Sequence, residues 1–264
     1  QDSSGGGFKG GVVKYYASGW KSFGTTGSDG NTPGKELLPG KYSFRMTWAG
    51  YTQQKSNVDI SSANPLVFTT VKMQVKLEDS NHIGLEGGIV KYYASGWKNF
   101  GASPYTTDTT GFVPGHMELL PGKYSFRMKY AGYTQQKSNV VDIALAENNP
   151  LIFQTANSNN NSMVVKLEKG SDHSGIQGGV VQYYASGWKS FGITGDDGNT
   201  PGVELLPGKY SFRMKYAGYT QQKSNVDITT TNPLIFQTEN MVVRLEKKSD
   251  SSGLEGGVVQ YYAS

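Results

Sequence analysis

The stretch Leu37-Leu38-Pro39-Gly40-Lys41-Tyr42-Ser43-Phe44-Arg45-Met46 returns from Leu119 to Met128 and from Leu205 to Met214, and its reading decides the fold. Tyr42, Phe44 and Met46 alternate with Ser43 and Arg45, the period of two of a strand with one buried and one wet face. Pro39 and Gly40 supply a tight reversal ahead of it, and Ala49 and Gly50 a second one behind. Each copy is followed two residues later by AGYTQQKSNV and preceded by YYASGWK, at Tyr15 to Lys21, Tyr92 to Lys98 and Tyr183 to Lys189. Three repeats are therefore complete.

The Gly-Gly pairs that open the repeats begin at Gly10, Gly87, Gly178 and Gly256, in steps of 77, 91 and 78 residues, so a fourth repeat has only begun. The second is longer because three loops have grown, at Ala102 to His116, Val141 to Asn149 and Ala156 to Ser162, which leaves the framework intact. A repeat of about 78 residues exceeds the roughly 20 to 50 of a solenoid and is long enough for its own core. In the first repeat the pattern predicts strands at Val12 to Ala17, Trp20 to Thr25, Lys35 to Leu38, Tyr42 to Trp48, Thr52 to Ile60, Leu66 to Val71 and Met73 to Leu77. No amphipathic helix is predicted. Seven strands in about 70 residues imply a two-sheet sandwich. The expectation is an all-β chain: a tandem array of three small seven-stranded Ig-like sandwiches plus the first strand of a fourth. Its parts are a Gly-rich leader 1–9, repeats 10–78, 87–168 and 178–246, polar linkers between them, and an opening strand 256–264 available for donation.

Composition narrows the function. Of 264 residues, 12% are aromatic and only 17% charged, which is too aromatic and too weakly charged for disorder. The absence of Cys excludes disulfides and thiolate chemistry, and His82, His116 and His173 are the whole histidine complement. A net charge of +4 from 25 basic and 21 acidic groups makes no concentrated electropositive face, so nucleic acid is not expected as a partner. No apolar run reaches the roughly 18 residues of a membrane span, so no membrane insertion is expected. A first residue of Gln1 rather than Met is the expectation for a processed or excised segment.

The series Gly-Leu-Glu-Gly-Gly-Val-Val (Gly84 to Val90 with Ile89, and Gly253 to Val259), a Thr-x-x-Asp-Gly turn, Leu-Pro-Gly-Lys-Tyr-Ser-Phe and Ala-Gly-Tyr resembles the prealbumin-like sandwich of carboxypeptidase regulatory-like and Cna-B-type domains. The resemblance covers all three repeats. It implies spacers, stalks and linkers on secreted or surface proteins of bacteria, some of which bind sugars or proteins. It also raises the intramolecular isopeptide bond that many Cna-B-type domains form between a first-strand Lys and a last-strand Asn beside a buried Glu. Lys14 and Lys91 lie on the strand matched to the first, but Gln182 and Gln260 stand at the equivalent positions, and Met46, Met128 and Met214 stand where the Glu would be. The two lysines are read as solvated.

No cofactor is expected. A weak Ca²⁺ site is conceivable at Asp29 and at Asp196 with Asp197, but one or two carboxylates fall short of the six to eight oxygens calcium takes, and an Asp-Gly turn accounts for them. His82 and His173 read as exposed linker residues. No catalytic constellation repeats across the units, and His116 with Glu118 has no supporting feature, so an enzyme is not expected. Arg45, Arg127 and Arg213 read as solvated or cross-strand-paired cations.

The register predicted for the opening strand puts Val13 and Tyr15 inward and leaves Val12, Lys14 and Tyr16 outside. Outward Val12 and Tyr16, with Val258, Val259, Tyr261 and Tyr262 of the last strand, suggest an assembly interface. Tyr16 with Trp20, Tyr93 with Trp97 and Tyr184 with Trp188 suggest instead a platform for glycans. The strand from Gly256 to Ser264 needs a pairing partner. It completes the third repeat, or it adds to a neighbouring molecule, or it marks a window on a longer polymer. The functional expectation is a non-enzymatic extracellular or cell-surface structural protein whose partner is itself, as a stalk or head-to-tail fibre. The alternative is an adhesin or carbohydrate-binding array.

Overall fold

The computed structural model describes residues 1–156 and 162–263; the inserted loop expected at Ala156 to Ser162 falls almost wholly outside them. In chain order the strands are β1 (Val12–Tyr16), β2 (Trp20–Thr25), β3 (Lys41–Trp48), β4 (Tyr51–Asp59), β5 (Val71–Met73), β6 (Val75–Glu78), β7 (Ile89–Tyr93), β8 (Trp97–Asn99) and β9 (Met117–Leu119). They continue as β10 (Lys123–Tyr130), β11 (Tyr133–Asp142), β12 (Leu151–Gln154), β13 (Val165–Lys169), β14 (Val180–Tyr184), β15 (Trp188–Ile193), β16 (Lys209–Tyr216), β17 (Tyr219–Asp227) and β18 (Leu234–Thr238). The chain is all-β, as its alternating pattern predicts. A single 3₁₀ turn, Ala146–Asn148, is the helical structure among the described residues.

Two compact units emerge: Gln1–Tyr130 with Thr134–Gln154, and Ala131–Tyr133 with Thr155 onward. The first holds two four-stranded antiparallel sheets, ordered β2-β1-β3-β4 and β11-β10-β7-β8; the second holds one, ordered β15-β14-β16-β17. In each, the YSFRM strand lies beside the Gly-Gly-x-Val strand because both carry apolar residues at alternate positions. Met46, Phe44 and Ser43 pair with Val13, Tyr15 and Tyr16, which puts Phe44, Val13 and Tyr15 on the inner face. The register predicted for β1 is the one observed. A buried hydroxyl locks the start of each sheet: Gly11 N donates to Thr26 Oγ1, Gly88 N to Thr107 Oγ1 and Gly179 N to Thr194 Oγ1, each at 2.8 Å.

The strands that complete the sandwiches depart from the expected frame. Met73 to Leu77 was expected to close the first repeat, yet β6 runs parallel to β12, with Val75 opposite Leu151 and Leu77 opposite Phe153. In the same way β13, from the end of the second repeat, runs parallel to β18 of the third. The boundaries at residues 78 and 168 therefore cut through sandwiches rather than between them. Turn chemistry explains the correction. Thr69-Thr70-Val71-Lys72 contains no Gly, Pro, Asn or Asp to reverse the chain, so it runs straight on, and β5 pairs with β9. The supposed linker after Glu78 is instead a tight reversal, in which Asp79 N donates to Ile83 O at 2.8 Å and Asp79 Oδ1 accepts from the Asn81 and Ile83 amides. Three smaller expectations also fail. Lys35 to Leu38 and Leu66 to Thr70 form no strand, although their counterparts β9 and β12 do, and residues 256–263 form none.

Side chains at Met73, Val75 and Leu77 are 0% exposed, whereas the matching Met241, Val243 and Leu245 are 82%, 57% and 53% exposed. Leu77→Ala should therefore destabilise the first unit by about 2–5 kcal/mol in denaturant titrations, and Leu245→Ala in dilute protein by less than about 0.5 kcal/mol. Equal effects would contradict the carried-over strand.

Candidate functional site

The outer faces of the three sheets carry the residues singled out for binding. Tyr16 meets Trp20 edge-on at 5.5 Å, and the Arg45 guanidinium covers the Trp20 ring at 3.9 Å. Tyr93, Trp97 and Arg127 repeat the arrangement at 5.4 and 3.9 Å, and Tyr184, Trp188 and Arg213 at 5.5 and 4.3 Å. Each Arg also donates to a Gln: Arg45 to Gln54 at 2.9 Å and Arg127 to Gln136 at 2.6 Å, both across the hairpin. Arg213 turns to Gln182 instead, which stands directly opposite it where Lys14 and Lys91 stand opposite Arg45 and Arg127. A like charge at that position drives the Arg away, and a neutral amide attracts it. Val12 is exposed beside these clusters, and so are Val258, Val259, Tyr261 and Tyr262, which have no strand to sit in.

Several candidate chemistries meet structural explanations. Asp29 accepts from the Asn31 side chain at 2.9 Å and its amide at 3.0 Å, and Asp197 from Asn199 at 2.8 and 2.9 Å. Those side-chain bonds, with the backbone ones, hold both carboxyls below the ordinary carboxylate range and tie their oxygens into the turn. Asp196 is an exposed neighbour in the same turn. No group of three His, Asp or Glu among the described residues is placed to hold a metal ion. Lys14 and Lys91 point outward, and the strand that precedes β7 in its own sandwich is in fact β6, whose inward positions hold Val75 and Leu77. Glu118 beside His116 accepts from Thr70 Oγ1 at 2.5 Å and Ser3 Oγ at 2.7 Å.

His82 and His173 are exposed, as read, but they sit in tight reversals beside a buried carboxylate rather than in linkers. Glu78, buried at the end of β6, accepts from Lys76 Nζ and faces His82 Nδ1, both at 2.7 Å; Glu168 is met by Lys166 and His173 at 2.8 Å and also by Gln237 at 2.8 Å. Burial acts to raise the pKa of Glu78, but the bonds from Lys76 and His82 outweigh it. At Glu168 the bonds from Lys166, Gln237 and His173 dominate, and its pKa falls to about 2.

The most distinctive surface is a groove beside β1 and β3. It has a volume of about 610 Å³ and is lined by Val13, Phe23, Thr32, Phe44, Leu66 and Phe68. Its counterpart in the second sandwich holds β6. There Asn149 clamps the strand backbone, accepting from Gln74 N at 3.0 Å and donating to Lys72 O at 2.6 Å, while Leu151 N donates to Gln74 O at 2.9 Å. In the second unit Asn232 and Leu234 treat Val164 alike. In the groove, Asn64 and Leu66 occupy these positions, and the Asn64 side chain and the Leu66 and Thr32 amides have no hydrogen-bond partner among the described residues. Sequence reasoning passed over these asparagines. The signal was there, since each Asn-Pro precedes a Leu-x-Phe segment.

A second contact joins successive repeats within the first unit. The β3–β4 tip places Tyr51 on Tyr124 at 4.7 Å between ring centres, receives Tyr92 Oη on Ala49 O at 3.1 Å and Ser95 Oγ on Gly50 O at 3.0 Å. Trp48 Nε1 donates to Glu118 O at 2.8 Å. Within the second unit Tyr133 stacks on Tyr210 at 4.8 Å, and Ala131 O and Gly132 O accept from Tyr183 and Ser186. Burial raises the pKa of Tyr124 and Tyr210 well above the usual phenol range.

No family model matches the chain, and no curated protein matches it by sequence. Among solved structures it is similar to the Bacillus anthracis TIE protein, at 16% identity and TM-score 0.22 over 90% of this chain and 49% of that one. It is also similar to a Streptococcal ancillary pilin, at 14% and 0.25 over 90% and 94%, and to BcpA, the major pilin subunit of Bacillus cereus, at 10% and 0.24 over 91% and 97%. The chain thus spans about half the length of the TIE protein. At these scores the likeness carries no weight, and the fold rests on the strand pairing.

Because the pKa of Glu168 lies lower in the folded chain than its ordinary 4.5, its interactions add stability that is complete above about pH 4.5 and is lost as pH falls toward 2. Glu168→Gln should lower the melting temperature of the second unit at pH 7 and flatten its decline between those pH values. An unchanged slope in calorimetry would assign the acid sensitivity elsewhere.

Proposed function

We propose that this chain is a non-enzymatic structural repeat protein of the extracellular space or cell surface, serving as a stalk or head-to-tail fibre through β-strand pairing between repeats. One observation carries the reading: β6 leaves its own repeat and becomes a core strand of the next, parallel to β12, with its inward side chains fully buried. Repeats joined in this way share a core, so separating them costs the burial of a strand rather than the flexing of a linker. No helix among the described residues is long and apolar enough to cross a membrane. Two of the similar structures are pilins, which accords with the proposal.

Glycan recognition is a second reading, favoured by the half-exposed Tyr16, Tyr93 and Tyr184 beside their tryptophans. Against it, an arginine already covers one face of each indole, leaving less flat surface for a sugar ring.

Negative-stain images of the purified chain should show filaments or uniform rods, and compact unconnected particles at every concentration would count against the structural role. On a glycan array no signal is expected; a signal lost on Trp20→Ala, Trp97→Ala and Trp188→Ala would favour the second reading.

A further inference from the structure

Each contact between the tip of one repeat and the sandwich of the next is built on a pair of tyrosines. Tyr51 lies 4.7 Å from Tyr124 with 34° between the ring planes, and Tyr133 lies 4.8 Å from Tyr210 with 38°. By contrast Tyr15 with Tyr42, Tyr92 with Tyr124 and Tyr183 with Tyr210 stand 6.3, 6.4 and 6.2 Å apart, at 60°, 55° and 58°. The joint pairs are closer and nearer to stacked.

Their hydroxyls meet the same turn. Tyr124 Oη donates to Leu120 O at 2.8 Å, and the Tyr51 hydroxyl sits over Gly122, two residues farther on, where any Cβ would collide with it. At the other joint Tyr210 Oη donates to Leu206 O at 2.8 Å, and the Tyr133 hydroxyl covers Gly208 in the same way. Rings stacked with their oxygens on one side bring the carbons ortho to oxygen alongside each other. Those carbons carry much of the unpaired electron of a phenoxyl radical.

Burial distinguishes the two members of each pair. Tyr124 and Tyr210 are 1% and 2% exposed, whereas Tyr51 and Tyr133 are half-buried. An oxidant therefore meets Tyr51 or Tyr133 first, and the radical it leaves has a second phenol packed against it. Burial also favours the protonated phenol at Tyr124 and Tyr210, so each of them releases its proton only as its electron leaves. Tyr16, Tyr93 and Tyr184 are more exposed, but each meets a tryptophan edge-on and no second tyrosine among the described residues.

We propose that Tyr51 with Tyr124, and Tyr133 with Tyr210, are modification sites at which oxidation forms a carbon–carbon dityrosine bond, pinning the tip of one repeat to the sandwich of the next. Each phenol gives up one electron and its hydroxyl proton. The two ortho carbons join, and the hydrogen on each of them moves to the oxygen of its own ring, so both rings end as phenols. The two electrons and two protons reduce one hydrogen peroxide, activated by a haem peroxidase, to two waters. With no Cys in the chain, a disulfide cannot supply such a lock. The bond closes the segment from residue 51 to 124, or from 133 to 210, and restricts the unfolded chain as a disulfide would. The proposal concerns joints within one chain and does not depend on fibre formation.

Treated in dilute solution with hydrogen peroxide and a haem peroxidase, the full chain should gain dityrosine fluorescence, remain a single chain and lose the mass of four hydrogens. Peptide mapping should join Tyr51 to Tyr124 and Tyr133 to Tyr210. Tyr51→Phe, which keeps the stacked ring, should halve both the fluorescence and the mass loss, and Tyr51→Phe with Tyr133→Phe should abolish them. Tyr16→Phe with Tyr93→Phe and Tyr184→Phe should change neither. The cross-linked chain should melt at least about 5 °C above the untreated one. No dityrosine, or bonds mapped to other tyrosines or between chains alone, would overturn the proposal. An unchanged melting temperature with both bonds in place would overturn the locking role.

Discussion

The parallel pairing of β6 with β12 is the constraint on which the remainder of the first unit depends. Parallel neighbours cannot be joined by a hairpin and need a long crossover, and here the crossover is almost an entire repeat. The second and third sandwiches therefore close only when a strand delivered from the repeat before lies beside the last strand of each. Complete burial of Met73, Val75 and Leu77 contributes about 1.5–3 kcal/mol per side chain, large against the stability of a small domain. The Asn149 clamp and the buried Glu78 with its Lys76 and His82 partners fix the two ends of that strand, so its register is set by polar groups as well as by apolar fit.

Polar order on the outer faces follows from the same repetition. Each Trp-Arg-Gln cluster spans neighbouring strands, holding the guanidinium over the indole and away from a facing lysine where one is present. Substituting Gln182 for that lysine redirects Arg213 without altering the sheet, which shows how the sequence varies at the surface while the strand framework stays constant. The turn carboxylates Asp29 and Asp197 likewise satisfy local donors, which accounts for their placement without an ion.

Strand sharing gives the chain a direction. A sandwich receives a strand at one end of its sequence and gives one at the other, so the contact is heterologous and does not close on itself by symmetry.

The all-β class, the three repeats, the inward face of β1 and the positions of the tight turns were legible in the sequence, because alternation, Pro-Gly pairs and repeated blocks are local signals. The aromatic and arginine residues of the outer face were legible as a set, though not their stacking. Which sheet receives Met73 to Leu77 was not legible, since an alternating apolar strand fits either neighbour and only the absence of a reversing residue between Thr69 and Lys72 hints at the choice. Tertiary structure decided it, by bringing together Leu151, Phe153 and Asn149, some 75 residues farther along, as the surface that strand fits. The same long-range fit explains why Leu38 and Leu120, identical in local sequence, differ in burial: what covers a residue in a repeat array is decided by the repeat before it.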